Sequence, residues 1–196
     1  MYKIIIVPGL GDGGRFFRLM VRNWWGMFPN EIHAFGWRDK GVNLIDKQNN
    51  LLRRIDALAK EGRKIYLIGI SAGGSAILNA FMARRTAVSG VVNVCGRLKE
   101  GIGVRPTLEK AARTSEIFAQ SVKNCEKELS SLSDSDLKKI LTIHPIYDEI
   151  VPTSTVGIEG AANIVVPSFF HGVGIRCSMI FWRNKIINFL ISRQDS

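Results

Sequence analysis

A chain of 196 residues, 46% of them hydrophobic, can bury one substantial core and is short for two ordinary domains, so a single domain over 1–196 is expected. Its formal charge of +10 is concentrated early: residues 1–96 carry 14 Lys/Arg against 6 Asp/Glu, whereas residues 97–169 carry 9 against 10. Three scattered cysteines (Cys95, Cys125 and Cys177) with no CxxC pair suggest neither a disulfide framework nor a zinc site and fit a reducing cytoplasm best.

In chain order, Tyr2–Val7 is a short β-branched run that reads as a buried strand, too brief for a signal-peptide core. It runs into "VPGLGDGG", residues 7–14, which supports two chemistries. Gly9, Gly11 and Gly14 spell GxGxxG, the pattern that brings a dinucleotide pyrophosphate to a helix N-terminus. The same strand, loop and helix could instead present a backbone N–H such as that of Leu10 to an oxyanion. Arg15–Trp25 then reads as a helix. Its Arg15, Arg18 and Arg22 form a basic stripe, read first as a solvated face, and its Phe16, Phe17, Trp24 and Trp25 are read as core rather than pocket lining.

Glu31–Phe35 is a strand candidate. A helix is expected from Leu44 to Ala59, with Asn43 as N-cap and Gly62 as stop, because its apolar residues recur on one face. Lys64–Ile68 is a second buried strand, followed by a helix over Ala72–Arg84 and a strand over Ser89–Val94. Residues 97–138 read as charged helix, either an insertion covering one end of the sheet or a crossover on its face. Ile140–Ile146 and Asn163–Val166 are further strands, Ile175–Ile191 is a closing helix, and Arg193–Ser196 is expected to fray. Alternation of strands and helices makes this an α/β protein, a three-layer α/β/α sandwich around a mainly parallel sheet. No stretch approaches the length and apolarity of a transmembrane helix, while the basic surface leaves peripheral membrane contact open.

The most specific chemistry lies at Gly69, Ile70, Ser71, Ala72 and Gly73, a GxSxG placed between strand and helix. Small flanking residues are needed there because the serine occupies a sharp, strained turn that exposes its hydroxyl and brings the Ala72 N–H to a developing oxyanion. Serine needs a base, and the base needs an orienting acid. Of the three histidines, His33 and His144 fall in strand candidates, whereas His171 follows a late strand in a loop leading to the last helix. His171 is therefore the expected base. In "HPIYDEIVP", Asp148 is favoured over Glu149 as the acid because it is shorter and nearer the strand end. The order Ser71, Asp148, His171 is that of one specific triad arrangement.

With these motifs the chain resembles the α/β-hydrolase superfamily from Tyr2 to the last helix. The resemblance implies a serine hydrolase that cleaves a carboxylic ester or related acyl bond through an acyl-enzyme. Ser71, Asp148 and His171 would be catalytic, with Leu10 and Ala72 as oxyanion donors and no metal or organic cofactor. Pro8-Gly9 stands where the family commonly carries His-Gly, which leaves a backbone donor in place. A small acyl substrate is implied, and the basic first half favours an anionic one; no nucleic-acid module is visible. Two alternatives belong to other classes: a hydrolase-like fold that only binds, and a Rossmann-type oxidoreductase with Asp39 as its ribose-binding acid.

Overall fold

The computed structural model describes residues 1–25 and 28–191, without the side chains of residues 16, 20 and 23–25. The readings made for Phe16, Trp24, Trp25 and for Arg193–Ser196 fall outside what is described. Six strands, β1 (Tyr2–Val7), β2 (Asn30–Ile32), β3 (Lys64–Ile70), β4 (Val88–Val94), β5 (Ile140–Tyr147) and β6 (Ala162–Phe169), form one sheet in the order β2-β1-β3-β4-β5-β6. Every neighbouring pair is parallel.

A parallel sheet has to be covered on both faces, and the strand sequences alternate accordingly. Ile5, Val7, Ile65 and Leu67 point into one core with helices α2 (Leu44–Lys60), α3 (Gly73–Ala83) and α5 (Glu116–Leu129). Ile4, Ile6, Ile68 and Ile70 point into the other, with α1 (Arg15–Trp25), α7 (His171–Ile180) and α8 (Arg183–Ile191). The result is the expected three-layer sandwich. Asn43 caps α2, its side chain accepting from the Asp46 N–H at 2.9 Å.

Strands β3 and β6 run further than expected, to Ile70 and Phe169, and three other elements differ from the sequence reading. The strand expected over Glu31–Phe35 ends at Ile32, because the backbone N–H groups of Phe35, Gly36 and Trp37 turn away to the carboxylate of Asp12. The closing helix is two helices: the N–H groups of Phe181 and Trp182 both turn back to the Cys177 carbonyl, which ends the ladder and lets α8 cross to β4 while α7 lies on β5 and β6. His171 stands in the first turn of α7 rather than in a loop.

Segment 97–138 contains α4 (Leu108–Ala112), α5 and α6 (Asp134–Leu137). Helix α5 packs on α3, as a crossover would, and Ser121 Oγ lies 2.8 Å from Ser75 Oγ in that contact. Helix α4 and the loop before it instead border a cavity at the carboxyl edge of the sheet. Among the described residues no helix is long and apolar enough to cross a membrane.

The chain leaves β1 for β2 on one side and returns to β3 on the other, so the segments that follow these two paired strands part at their carboxyl ends, α1 going to one face of the sheet and α3 to the other. In open α/β sheets this is where ligands settle.

Candidate active site

Ser71 follows β3 with φ +54°, a left-handed conformation that costs a non-glycine residue of order 1–3 kcal/mol. The surrounding glycines are what allow it. A methyl group on Gly69 would strike the Gly73 carbonyl, and one on Gly73 would strike the Val7 carbonyl of β1. Only glycine lets the helix pass this close to two strands. The hydroxyl is thereby raised beside the N-terminus of α3, whose aligned peptide dipoles favour negative charge.

His171 Nε2 lies 2.8 Å from Ser71 Oγ, and His171 Nδ1 lies 2.7 Å from Asp148 Oδ2. Both the imidazole and the carboxylate are buried. The second oxygen of Asp148 accepts from the N–H groups of Ile150 and Val151 at 2.9 and 2.8 Å, so a tight turn after β5 holds the acid without any added cation. Glu149, the competing acid, does not reach the ring. Its Oε2 accepts from the backbone N–H of His171 at 2.7 Å, a function that the sequence analysis missed.

Leu10, Ser71 and Ala72 line one cavity of about 260 Å³, walled by Arg97, Pro106, Ala111 and Phe118. Gly9 lies against Ser71: a Cβ there would be 2.9 Å from the Ser71 Cβ. Among the described residues neither the Leu10 nor the Ala72 backbone N–H bonds to another backbone carbonyl.

No family model and no curated protein sequence matches the chain. Solved structures do. A structure from work on the metagenome-derived lipolytic enzymes LipS and LipT superposes with a TM-score of 0.70 at 9% identity, covering 96% of this chain and 93% of that one. The monoacylglycerol lipase of Paleococcus ferrophilus gives 0.65 at 15% identity over 98% and 95%. The ydeN gene product of B. subtilis gives 0.66 at 18% identity over 96% and 98%. The chain has the α/β-hydrolase fold.

The order β2-β1-β3-β4-β5-β6 is not the 3-2-1-4-5-6 of the classic dinucleotide-binding sheet. The third glycine of the pattern also lacks the helix–strand packing role that the fingerprint requires, since a Cβ on Gly14 would meet nothing within 4 Å. Asp39 is engaged by Lys47 at 2.9 Å. The other histidines sit apart from Ser71 in their bonding: His144 Nδ1 lies 2.8 Å from the Pro145 carbonyl, and burial, ahead of neighbouring charges, holds His33 below the ordinary imidazole value. Cys95 is fully buried and burial pushes its thiol well above the ordinary range, as suits a small core residue. Of the basic stripe on α1, Arg18 donates from Nε to the Gly13 carbonyl at 2.8 Å, tying that helix to the loop before it.

Arg97, also missed from sequence, is 1% exposed. Its guanidinium donates to the carbonyls of Lys99, Glu100 and Pro106, which folds the loop leading to α4 into the cavity wall.

Proposed function

We propose that this chain is a serine hydrolase of small acyl esters or related acyl compounds, with Ser71, His171 and Asp148 as its triad. The observation that carries the reading is the unbroken sequence of hydrogen bonds from Ser71 Oγ through the two nitrogens of His171 to Asp148, at 2.8 and 2.7 Å. The lipolytic activities named for proteins of the same fold agree with it.

In this mechanism Ser71 Oγ attacks the acyl carbon as its proton passes to His171 Nε2. The carbonyl oxygen becomes an oxyanion held by the Leu10 and Ala72 N–H groups, in a site where such donors need no reorganisation. Collapse of the tetrahedral intermediate breaks the bond to the leaving group, which takes the proton from His171 and departs. Water then attacks the acyl-enzyme, its proton going to His171, and the second collapse releases the acid and returns the proton to Ser71. Asp148 stays ionised throughout, fixing the tautomer of His171 and stabilising its cation. These steps ask for no metal or organic cofactor. The free state of the buried Cys95 and Cys125 accords with a cytoplasmic enzyme.

The test is intact-mass analysis after exposure to a fluorophosphonate, comparing the parent with Ser71→Ala and His171→Ala. One adduct on the parent, mapped to Ser71 and absent from both variants, is the expected result. A folded parent that takes no adduct and hydrolyses no ester would overturn the reading and leave a binding module.

A further inference from the structure

The loop that carries Leu10 is pinned at both ends by a segment of chain about 25 residues downstream. At one end the Trp37 indole Nε1–H donates to the Pro8 carbonyl at 3.0 Å, and Trp37 is itself 1% exposed. At the other, the carboxylate of Asp12 accepts three backbone hydrogen bonds, from Phe35 and Gly36 on Oδ1 at 2.8 and 2.9 Å and from Trp37 on Oδ2 at 3.1 Å. Asp12 takes φ +47° to do so, and its own N–H closes a turn onto the Gly9 carbonyl at 2.9 Å. The peptides of Gly9, Leu10 and Gly11 therefore hang between two fixed points.

A glycine-rich loop depends on such anchors for its stiffness. Gly11 makes no contact that a side chain would disturb, and without anchors the Leu10 N–H would sample many directions. The anchoring segment is rigid in turn. Phe35 and Trp37 stack with centroids 4.2 Å apart, Trp37 meets Phe118 edge-on at 6.0 Å, and Ser115 Oγ donates to the Trp37 carbonyl at 2.7 Å. Phe118 belongs to the cavity wall, so the same tryptophan touches both the loop and the acyl-side surface.

We infer that Asp12 and Trp37 are positioning residues that hold the Leu10 N–H on the oxyanion, resting on the hydrolase reading above. Neither touches the reacting atoms in this scheme. Their effect falls on the transition state, where charge appears on the oxygen, and hardly on the neutral ground-state ester.

The experiment is steady-state hydrolysis of a p-nitrophenyl ester by the parent, Asp12→Asn and Trp37→Phe, with phenylboronic acid inhibition measured in parallel. Boron accepts the Ser71 oxygen as a fourth ligand, the serine proton passing to His171, and the anionic boronate places a hydroxyl where the oxyanion forms. Asparagine would face the Trp37 N–H with an amide donor, and phenylalanine keeps the ring while removing the indole donor. For Asp12→Asn, kcat falls about 10- to 100-fold, short of the ~10²–10³-fold that follows outright loss of a donor, while KM changes little. Boronate affinity falls in the same ratio, and the low-field Nδ1 proton resonance of His171 persists, which a general loss of structure would abolish. Trp37→Phe shifts both readouts in the same direction by less. An active parent with both variants within twofold of it, or a loss of kcat with boronate affinity unchanged, overturns this inference alone. A folded parent that neither turns over esters nor binds the boronate overturns the hydrolase reading and this inference with it.

Discussion

Glu149 and His171 are joined side chain to main chain, the Oε2 of one accepting the N–H of the other at 2.7 Å. The bond fixes the first turn of α7 directly after Phe170, whose φ of +73° is unfavourable for a side chain of that size. Without the carboxylate, that turn is free to relax and carry the imidazole away from Ser71. Glu149→Ala is therefore expected to lower kcat about 10- to 100-fold, as small misplacements of catalytic groups do, with the folded state retained by circular dichroism. Glu149→Gln keeps an acceptor oxygen and should recover most of the loss.

Gly9→Ala tests the approach of the first loop to Ser71. The added methyl would come 2.9 Å from the Ser71 Cβ and 3.3 Å from its Oγ, so the loop must retreat. We expect acylation to slow by about two orders of magnitude, read as the rate of fluorophosphonate labelling, while the thermal midpoint moves by only a few degrees.

Cavity size sets acyl-chain length in this reading. Ala111→Phe places a ring in a space of about 260 Å³, leaving room for acetyl but not for longer chains. The ratio of kcat/KM for hexanoyl over acetyl esters is expected to fall at least about tenfold, since each methylene in an apolar pocket is worth ~1–3 kcal/mol. An unchanged ratio would place the acyl chain elsewhere.

Asp136 gives a prediction for stability. It closes a capping box with Ser133 at the start of α6 and pairs with Arg85 Nη1 at 3.1 Å. Burial opposes its ionisation, but the Ser133 N–H and hydroxyl, with Arg85 and Lys139, outweigh burial and hold the carboxyl below its ordinary value of 3.8. Its contribution is therefore complete above about pH 4 and is lost as pH falls through the lower folded value. Asp136→Asn should cost about 1 kcal/mol at neutral pH and flatten the acid limb of stability, as measured by urea unfolding at several pH values.

How much of this was legible beforehand varies with the range of the interaction involved. Tyr2–Val7 shows itself because its four successive apolar residues from Ile4 to Val7 are what a doubly covered parallel strand demands, and α2 shows itself because its cap and its 3.6-residue periodicity are local. GxSxG in its strand-to-helix setting pointed to Ser71, and chain order to Asp148 and His171, three residues that the fold brings into hydrogen-bond contact. The clamp of Asp12 on residues 35–37 has no such signature. It joins positions 23 to 25 apart through backbone donors, which any residue but proline supplies, and it cut short the strand expected to reach Phe35. Arg97 was hidden for a similar reason, because carbonyl acceptors leave no mark in the sequence.

Asp12, Ser71, Cys95 and Phe170 are the non-glycine residues with positive φ among those described, and each lies shortly past the carboxyl end of β1, β3, β4 or β6. Backbone strain is thus gathered on one rim of the sheet while the strands beneath are relaxed. That distribution makes the rim the first part of the molecule to yield on warming, so inactivation should precede unfolding, and amide exchange should quicken there while the strand centres stay protected. It also separates two routes of adaptation. Substitutions in the buried strands can add stability without touching the chemistry, whereas relief of the rim, for instance by Phe170→Gly, would make a sturdier protein and a poorer catalyst.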